Sequence, residues 1–249
     1  MIQNTYDIQS EPMISPSMIY GETKLICEIC IITFSKVIID NVLNTYPCEK
    51  VAELSLCNGK IPIYTFDYNN SKIAFYLSPI GSAVAGTCLE EANCLTGAKK
   101  FIMFGSAGCL NQEVTKGKIV IPTAAYRDEG MSYHYAPAAD YIDIPHAQKL
   151  AQIFDILKVP YVTGKTWTTD AIYRETRNHI NERKKDGCLT VEMELAGVQA
   201  VCSFHGFELY DFLMTGDVLD LPEWNIKDLV VANNCLENFY LALKISEFI

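Results

Sequence analysis

The sequence has too few positive charges, histidines and long apolar runs for several classes of protein. It carries 20 Lys and Arg against 30 Asp and Glu, a formal net charge of −10, so a nucleic-acid backbone would be repelled rather than neutralised. No apolar stretch reaches the roughly 20 residues needed to span a bilayer. The four histidines show no metal-binding spacing. We therefore expect no nucleic-acid partner, no membrane partner and no metal.

Ten cysteines are present, but the sequence indicates neither a disulfide framework nor a zinc site. Many lie inside apolar runs and no signal peptide precedes them, which is typical of free thiols in the cytoplasm. Cys27 and Cys30 have a Cys-x-x-Cys spacing, yet no second such pair or histidine pair follows to complete a tetrahedral site. We expect a cytoplasmic protein with reduced cysteines.

The common glycine motifs of nucleotide-binding proteins are also missing. The run GSAG at Gly105–Gly108 is not G-x-G-x-x-G, and no Walker lysine is present. The apolar run Phe101–Phe104 predicts a buried strand that leads into GSAG as a turn. Backbone N–H groups and the Ser106 hydroxyl of such a turn would face outward, which suits one small anion.

The remaining pattern favours an α/β fold with a single domain. The chain has 249 residues and is 49 % hydrophobic, enough for one large core. Strands and helices alternate, which predicts a mixed, largely parallel sheet flanked by helices. The predicted strands are Ile29–Thr33, Lys72–Ser78, Phe101–Phe104, Lys118–Pro122, Tyr161–Lys165, Leu189–Glu192 and Leu209–Thr215. The predicted helices are Lys36–Leu43, Ala85–Leu95, His146–Leu157 and Ile226–Ile245. Residues 1–24 contain Pro12, Pro16 and Gly21 without periodicity, which predicts an arm before a domain at 25–249.

The segment TVEMELAGVQ at Thr190–Gln199 carries most of the chemistry. It places Glu192 and Glu194 around Met193 where a strand becomes a helix. In the strand period the two acids share one face, and an ionised carboxylate can accept two hydroxyl protons, as vicinal ribose hydroxyls require. The alternative is structural: Glu194 would complement the dipole of the following helix, and Glu192 would be solvated.

The segment TVEMELAG resembles the ribose-binding signature of the nucleoside phosphorylase/nucleosidase family. Four other segments are similar to that family in the same order. FIMFGSAGCL resembles the strand beside the phosphate, and AYRDEGMSYHYAP resembles the uridine phosphorylase branch. The four segments are Phe101–Leu110, Ala125–Pro137, Thr168–Tyr173 and Leu213–Asp217. The resemblance runs from about Cys27 to Leu219 and implies that family's α/β fold and its cleavage of N-glycosidic bonds.

The resemblance assigns roles to the ribose and base residues. It implies that Glu194, Met193 and Glu192 hold ribose, with Glu194 also catalytic. It implies that Asp217 hydrogen-bonds or protonates N7 of a leaving purine, and a general acid contributes about 10²- to 10⁴-fold. From the residues alone, Asp217 is also consistent with a Gly-Asp turn. Val191 is expected beside the base.

The resemblance places phosphate at two glycine turns, and here the chain departs from its relatives. Phosphate is expected on Gly81, Gly105, Ser106 and Lys36. Phosphorolytic members carry an arginine after the first strand and another before the Gly-Ser segment, where this chain has Ile32–Lys36 and Met103. Lys36, Arg127 or Lys50 would have to substitute, and a lysine does not reproduce the arginine fork.

Base choice departs from the family as well. The uracil clamp Gln-x-Arg is absent, which favours a purine, although Ile172 stands where purine members stack a phenylalanine on the base. We expect a phosphorylase of purine ribonucleosides, with inorganic phosphate as co-substrate and no other cofactor. The alternatives are a uridine phosphorylase, a hydrolytic nucleosidase and a non-catalytic nucleoside-binding relative. The resemblance also implies a homodimer or hexamer, with His134 and Tyr135 in the dimer segment.

Overall fold

Strands and helices alternate along most of the chain in the computed structural model, which describes residues 1–219 and 227–249. The strands are β1 (Ile29–Thr33), β2 (Glu49–Leu56), β3 (Gly59–Tyr68), β4 (Ser71–Leu77), β5 (Lys100–Cys109), β6 (Ile119–Asp128), β7 (Tyr141–Asp143), β8 (Tyr161–Thr169), β9 (Cys188–Glu192) and β10 (Glu208–Val218). The helices are α1 (Pro16–Tyr20), α2 (Lys36–Thr45), α3 (Ser82–Thr96), α4 (Gln112–Thr115), α5 (Ser132–Tyr135), α6 (Ala147–Leu157), α7 (Arg177–Lys185), α8 (Leu195–His205), α9 (Lys227–Asn233) and α10 (Leu236–Ser246). Within these ranges, no helix has the length and apolar character that a membrane span requires.

These ten strands form one mixed sheet in the order β10-β6-β8-β9-β5-β1-β4-β3-β2, with β7 beside β6. A second pairing of β10, in parallel with β5, closes β5, β10, β6, β8 and β9 into a ring. The pairings of β1 are parallel, whereas β2, β3 and β4 form an antiparallel meander. The predicted mixed sheet with flanking helices is confirmed.

Strand β1 shows why the apolar runs of this sequence become central strands. All five of its residues are buried, because it lies between β4 and β5 and α10 packs nearby. Phe239 of α10 contacts Phe75 of β4 and Phe104 of β5 edge-on. A strand buried on both faces takes a continuous apolar run. Helix α2 then begins after Ser35, whose hydroxyl accepts the N–H of Ile38 at 3.3 Å.

The predicted Gly-Ser-Ala-Gly turn is wrong, because β5 continues through it to Cys109. Residues 105–107 stay in register with residues 213–215 of β10. Glycine is needed at position 108 for close approach: a Cβ there would lie 2.8 Å from Cγ1 of Val191 in β9. A Cβ at Gly164 of β8 would lie 2.4 Å from Cδ1 of Leu189. The two glycines let β9 approach both of its neighbours.

The predicted closing helix over Ile226–Ile245 is two helices. Ile226 lies outside the described residues, α9 ends at Asn233 and α10 begins at Leu236. The side chain of Asn234 donates from Nδ2 to the carbonyl of Val230 at 3.0 Å, a local bond that competes with helix continuation. Cys235 then has an extended backbone, with φ −70° and ψ 103°.

The predicted arm, residues 1–24, contains α1 and lies against its own chain. The Tyr20 hydroxyl donates to Oε2 of Glu91 in α3 at 2.8 Å and accepts the N–H of Ser55 in β2 at 2.8 Å. The N–H of Lys24 donates to the carbonyl of Cys94 at 3.1 Å. The domain boundary at residue 25 stays a prediction.

We predict that Tyr20→Phe lowers the melting temperature. It removes two hydrogen bonds, each worth about 0.5–1.5 kcal/mol, and 1 kcal/mol corresponds to about 2–4 °C in a chain of this size. The two bonds together contribute about 1–3 kcal/mol, so calorimetry should show a decrease of about 2–12 °C. Deleting residues 1–20 should give a similar decrease with one cooperative transition. Tyr173→Phe is the matched control, because Tyr173 is 96 % exposed. A deletion variant that does not fold would make the arm part of the domain.

Candidate active site

A cavity of about 730 Å³ lies beside the later halves of β5, β9 and β10. All the predicted ribose and base residues line it, and so do two of the predicted phosphate residues. They are Ile172, Val191, Glu192, Met193, Glu194, Asp217, Gly105 and Ser106. Of the described residues predicted to bind phosphate, Gly81 and Lys36 are not in the lining.

Glu194 is held at the cavity wall by the start of two helices. It is the N-cap residue of α8, and its Oε1 accepts the N–H of Gly81, the residue before α3, at 2.6 Å. The Ser82 hydroxyl lies 3.1 Å from the carbonyl of Met193 and 3.2 Å from that of Glu194, which fixes the connection below. Burial raises the pKa of Glu194 to about 8. The amide of Gly81 thus serves Glu194, and its predicted contact with phosphate is not supported.

Glu192 caps helix α8. One carboxylate oxygen accepts the N–H groups of Glu194 and Leu195, both at 2.7 Å, and the other accepts the Thr168 hydroxyl of β8 at 2.5 Å. Burial raises its pKa to about 7 against the effect of these donors. The acid that serves the helix is therefore Glu192 and not Glu194. These bonds use three of the roughly four acceptor positions of the carboxylate, so the ribose contact of Glu192 stays a prediction.

Met193 and Val191 give the cavity an apolar wall beside these acids. Val191 is buried at 3 % exposure and packs on the bare backbone of Gly108. Met193 lies between the two glutamates in the connection from β9 to α8 and lines the cavity. Their positions are consistent with apolar contacts to a flat base and to the carbon face of a sugar.

Asp217 lies near the end of β10 and is 8 % exposed. Glu175 also lines the cavity, and burial together with the charge of Asp217 raises the pKa of Glu175 to about 7. Ile172 borders the cavity at 48 % exposure. The sequence pattern did not single out Glu175, because it follows a short 3₁₀ turn without periodicity.

The cationic residues expected to bind phosphate lie elsewhere. Lys36 forms an exposed ion pair with Asp40 in α2. Arg127 is buried and donates to the hydroxyl of Ser132 at 2.8 Å and to the carbonyls of residues 136 and 137. Lys50 pairs with Glu53 at 3.0 Å. The structure therefore brings none of the three expected cations to this cavity of the described chain.

Asp211 is a further acid that the sequence pattern did not single out. It lies in β10 opposite Met103 of β5, lines the cavity and is 2 % exposed. Burial, together with the charges of Glu192 and Glu194, raises its pKa well above the usual range. Its signal was an acidic residue within the apolar run Leu209–Met214. Among the described lining residues, five are acids and one, Arg177, is a cation.

Residues 28–240 match the family described as the phosphorylase superfamily. The chain belongs to this superfamily. Over 166 residues it is 26 % identical to a DeoD-type purine nucleoside phosphorylase from Exiguobacterium, which covers 62 % of this chain and 69 % of the relative. A DeoD-type enzyme from Buchnera aphidicola is 28 % identical over 146 residues, 56 % of this chain and 61 % of that relative.

Two solved structures share the fold of this chain. The 5'-methylthioadenosine/S-adenosyl homocysteine nucleosidase of Campylobacter jejuni superposes with a TM-score of 0.71 at 18 % identity, over 90 % of this chain and 100 % of the other. Futalosine hydrolase of Helicobacter pylori gives a TM-score of 0.71 at 16 % identity, over 89 % and 98 %. In the described part of this chain, no group of three His, Cys, Asp or Glu side chains is placed to hold a metal.

We predict that the protein loses stability as pH rises from about 5 to about 8. The pKa values of Glu175 and Glu192 are raised from 4.5 to about 7, and that of Glu194 to about 8. The folded state therefore binds protons more tightly than the unfolded chain in this range, so deprotonation favours unfolding. Urea unfolding at pH 5 and pH 8 measures the difference.

Two variants show whether the cavity acids cause this decrease in the free energy of unfolding with pH. Asp211→Asn should make the free energy of unfolding less dependent on pH, because it removes one carboxyl group with a raised pKa. Glu49→Gln, an exposed carboxylate of β2, should leave that dependence unchanged. A free energy of unfolding that increases from pH 5 to pH 8 would mean that these acids are ionised and favourably paired in the fold.

Proposed function

We propose that this chain hydrolyses the N-glycosidic bond of purine ribonucleosides, releasing the free base and ribose. One observation carries the choice of water over phosphate. Where a phosphate ion would need cations, the described lining offers Met103, Phe34 and the buried carboxyl group of Asp211. Arg177 is the cation of the described lining, and its guanidinium donates to the carbonyl of Leu219 at 3.0 Å. At the position where the resemblance expects the arginine of a two-point phosphate fork, this chain carries Met103.

The mostly acidic lining of the cavity disfavours a doubly charged anion. Two unit charges 4 Å apart interact by about 4 kcal/mol at an effective dielectric constant of 20, and phosphate carries close to two negative charges at pH 7. When ionised, Glu192, Glu194 and Asp211 would repel phosphate, and when protonated, as their raised pKa values favour near neutral pH, they supply no positive charge to balance it. A water molecule carries no net charge and avoids this cost.

Glu194 is proposed to bind the ribose. Its carboxylate borders the cavity, and the N–H of Gly81 holds one of its oxygens at 2.6 Å, so its orientation is set before a ligand arrives. A carboxylate has enough lone pairs to accept that bond and two vicinal hydroxyl groups. Pre-organised groups of this kind stabilise a transition state without reorganisation.

Asp217 and Glu175 are proposed to bind and protonate the base. Two neighbouring carboxyl groups resist double ionisation, so one retains a proton near neutral pH, which accords with the raised pKa of Glu175. A purine offers N7 as acceptor for that proton, whereas the pyrimidine ring has no such atom. Val191 and Ile172 supply apolar contacts to the ring.

Phosphorolysis is the second candidate, because the relatives by sequence are named as purine nucleoside phosphorylases. Its phosphate would depend on the Ser106 hydroxyl, which lines the cavity and hydrogen-bonds Oδ1 of Asn233. Each charge-assisted bond that arginine would have made is worth about 1.5–3 kcal/mol. A phosphate site of this composition would be weak.

We predict that inosine cleavage does not depend on phosphate. Purified protein should release hypoxanthine at the same rate in phosphate-free buffer and with millimolar phosphate, with ribose and not ribose 1-phosphate as the second product. Chromatography or a coupled assay measures both products. Glu194→Gln should lose most activity, because an amide has one acceptor oxygen, and Glu49→Gln should remain active. Base release that requires phosphate, with ribose 1-phosphate formed, would establish the second candidate instead.

We predict that Asp217→Asn slows inosine cleavage by about 10²- to 10⁴-fold, the usual contribution of a general acid. Cleavage of nitrophenyl riboside should change far less, because its leaving group departs without protonation. The rate constants of both substrates are compared in the wild type, in Asp217→Asn and in Asp143→Asn, an exposed control in β7. Equal losses on the two substrates would assign Asp217 a structural role.

A further inference from the structure

Two serine hydroxyls at one edge of the sheet are each bonded to an asparagine that follows or ends α9. The Ser106 hydroxyl of β5 donates to Oδ1 of Asn233. The Ser35 hydroxyl, just after β1, donates to Oδ1 of Asn234 at 2.8 Å. β1 and β5 pair in parallel, and each serine lies two residues beyond their last paired position. The two neighbouring asparagines therefore take up the hydroxyl protons of both strands at this edge.

Helix α9 is held closely against the sheet at this point. It packs on β10 and β5, and a Cβ at Gly216 of β10 would lie 2.8 Å from Cα of Leu229 in α9. Nδ2 of Asn234 donates to the carbonyl of Val230 at 3.0 Å, which leaves its Oδ1 to accept the serine hydroxyl. The last residue of α9, Asn233, is thus placed beside β5 by contacts on both sides of it.

The bond between Ser106 and Asn233 determines where the single proton of the Ser106 hydroxyl lies. An amide carbonyl oxygen accepts hydrogen bonds and has no proton to give, whereas a hydroxyl has one proton and two lone pairs. The proton therefore lies between Ser106 and Asn233. Both residues line the cavity, and neither is buried. While this bond is intact, Ser106 can offer a ligand in the cavity its lone pairs but no proton.

Water and phosphate place opposite demands on such an oxygen. A water molecule has protons to donate, so an acceptor can fix its orientation. Phosphate near neutral pH presents mainly acceptor oxygens, and an acceptor that faces another acceptor loses its hydrogen bond to solvent without a replacement. The other hydroxyl side chain of the described lining is Tyr173, which is 96 % exposed. Ser106 in its observed bond therefore favours water over phosphate.

We infer that Asn233 selects the nucleophile: it accepts the Ser106 proton, which makes Ser106 a positioning residue for water and withdraws the hydroxyl on which phosphate would depend. This inference rests on the hydrolysis proposed above. The water oxygen forms a bond to C1′ while the bond from C1′ to the base nitrogen breaks, and its electron pair leaves on the base. The acids at Asp217 give a proton to N7, and the proton that the water loses restores them through solvent. Ser106 keeps its own proton throughout.

The test measures the binding of inorganic phosphate by calorimetry and the products of inosine cleavage by chromatography, without phosphate and with millimolar phosphate. Asn233→Ala frees the Ser106 hydroxyl, so phosphate should bind about tenfold or more tightly, and ribose 1-phosphate should appear beside ribose. The double variant Asn233→Ala, Ser106→Ala should lose both gains. Asn234→Ala is the matched control, because it removes the neighbouring bond to Ser35 outside the cavity lining, and it should behave like the wild type.

Ser106→Ala alone gives a second measurement that does not depend on the folding of Asn233→Ala. It should lower kcat for hydrolysis, because the water loses an acceptor, and it should leave the affinity of the wild type for phosphate unchanged. A marked weakening of phosphate binding would mean that Ser106 already donates to phosphate, which would overturn the inference.

The outcomes separate this inference from the proposed function. If the wild type releases ribose and folded Asn233→Ala binds phosphate no more tightly, the inference is wrong while hydrolysis stands. A gain that also occurs in Asn234→Ala, or that persists in the double variant, would overturn it too, because loosening of α9 and not the Ser106 proton would be the cause. If the wild type itself forms ribose 1-phosphate, hydrolysis fails first and the inference fails with it.

Discussion

The carboxylate of Glu192 is the contact on which the site depends. It ends β9, accepts the first backbone N–H groups of α8 and accepts the Thr168 hydroxyl of β8. Thr168 in turn accepts the N–H of Ala196 at 3.0 Å, so strand, helix and neighbouring strand are joined in one network. As a result, the backbone of Met193 and Glu194, which connects β9 to α8, is fixed in one conformation. That conformation turns Glu194 towards Gly81 and the cavity.

The apolar runs of the sequence predict many of the strands of the sheet. The errors concern the glycines of β5 and the hairpin of β2 and β3. Ile29–Thr33 was predicted with its observed bounds, because a strand between two others is apolar throughout. β5 was ended too early at Phe104, since Gly105–Gly108 has the composition of a turn but serves close packing. The hairpin of β2 and β3 was missed, although Asn58-Gly59 is a turn signal between alternating residues.

The sequence motifs predicted only some of the residues that line the candidate site. Short motifs placed Glu194, Met193 and Asp217 at one cavity, because they lie on strand ends that the ring of strands brings together. They did not distinguish which glutamate caps helix α8, since that depends on which backbone N–H groups each carboxylate accepts. Asp211 was missed because its meaning is three-dimensional: an acid in an apolar strand becomes notable only when its surroundings lack a donor.

The glycines at positions 108 and 164 limit which side chains β9 and its neighbours can carry at the same time. Any larger residue at either position would collide with Val191 or Leu189, so it could be accepted only together with a smaller partner. Because Val191 also lines the cavity, such a paired exchange would reshape the cavity at the same time. The shape of the cavity and the packing of β9 against its neighbours therefore cannot be changed independently in this chain.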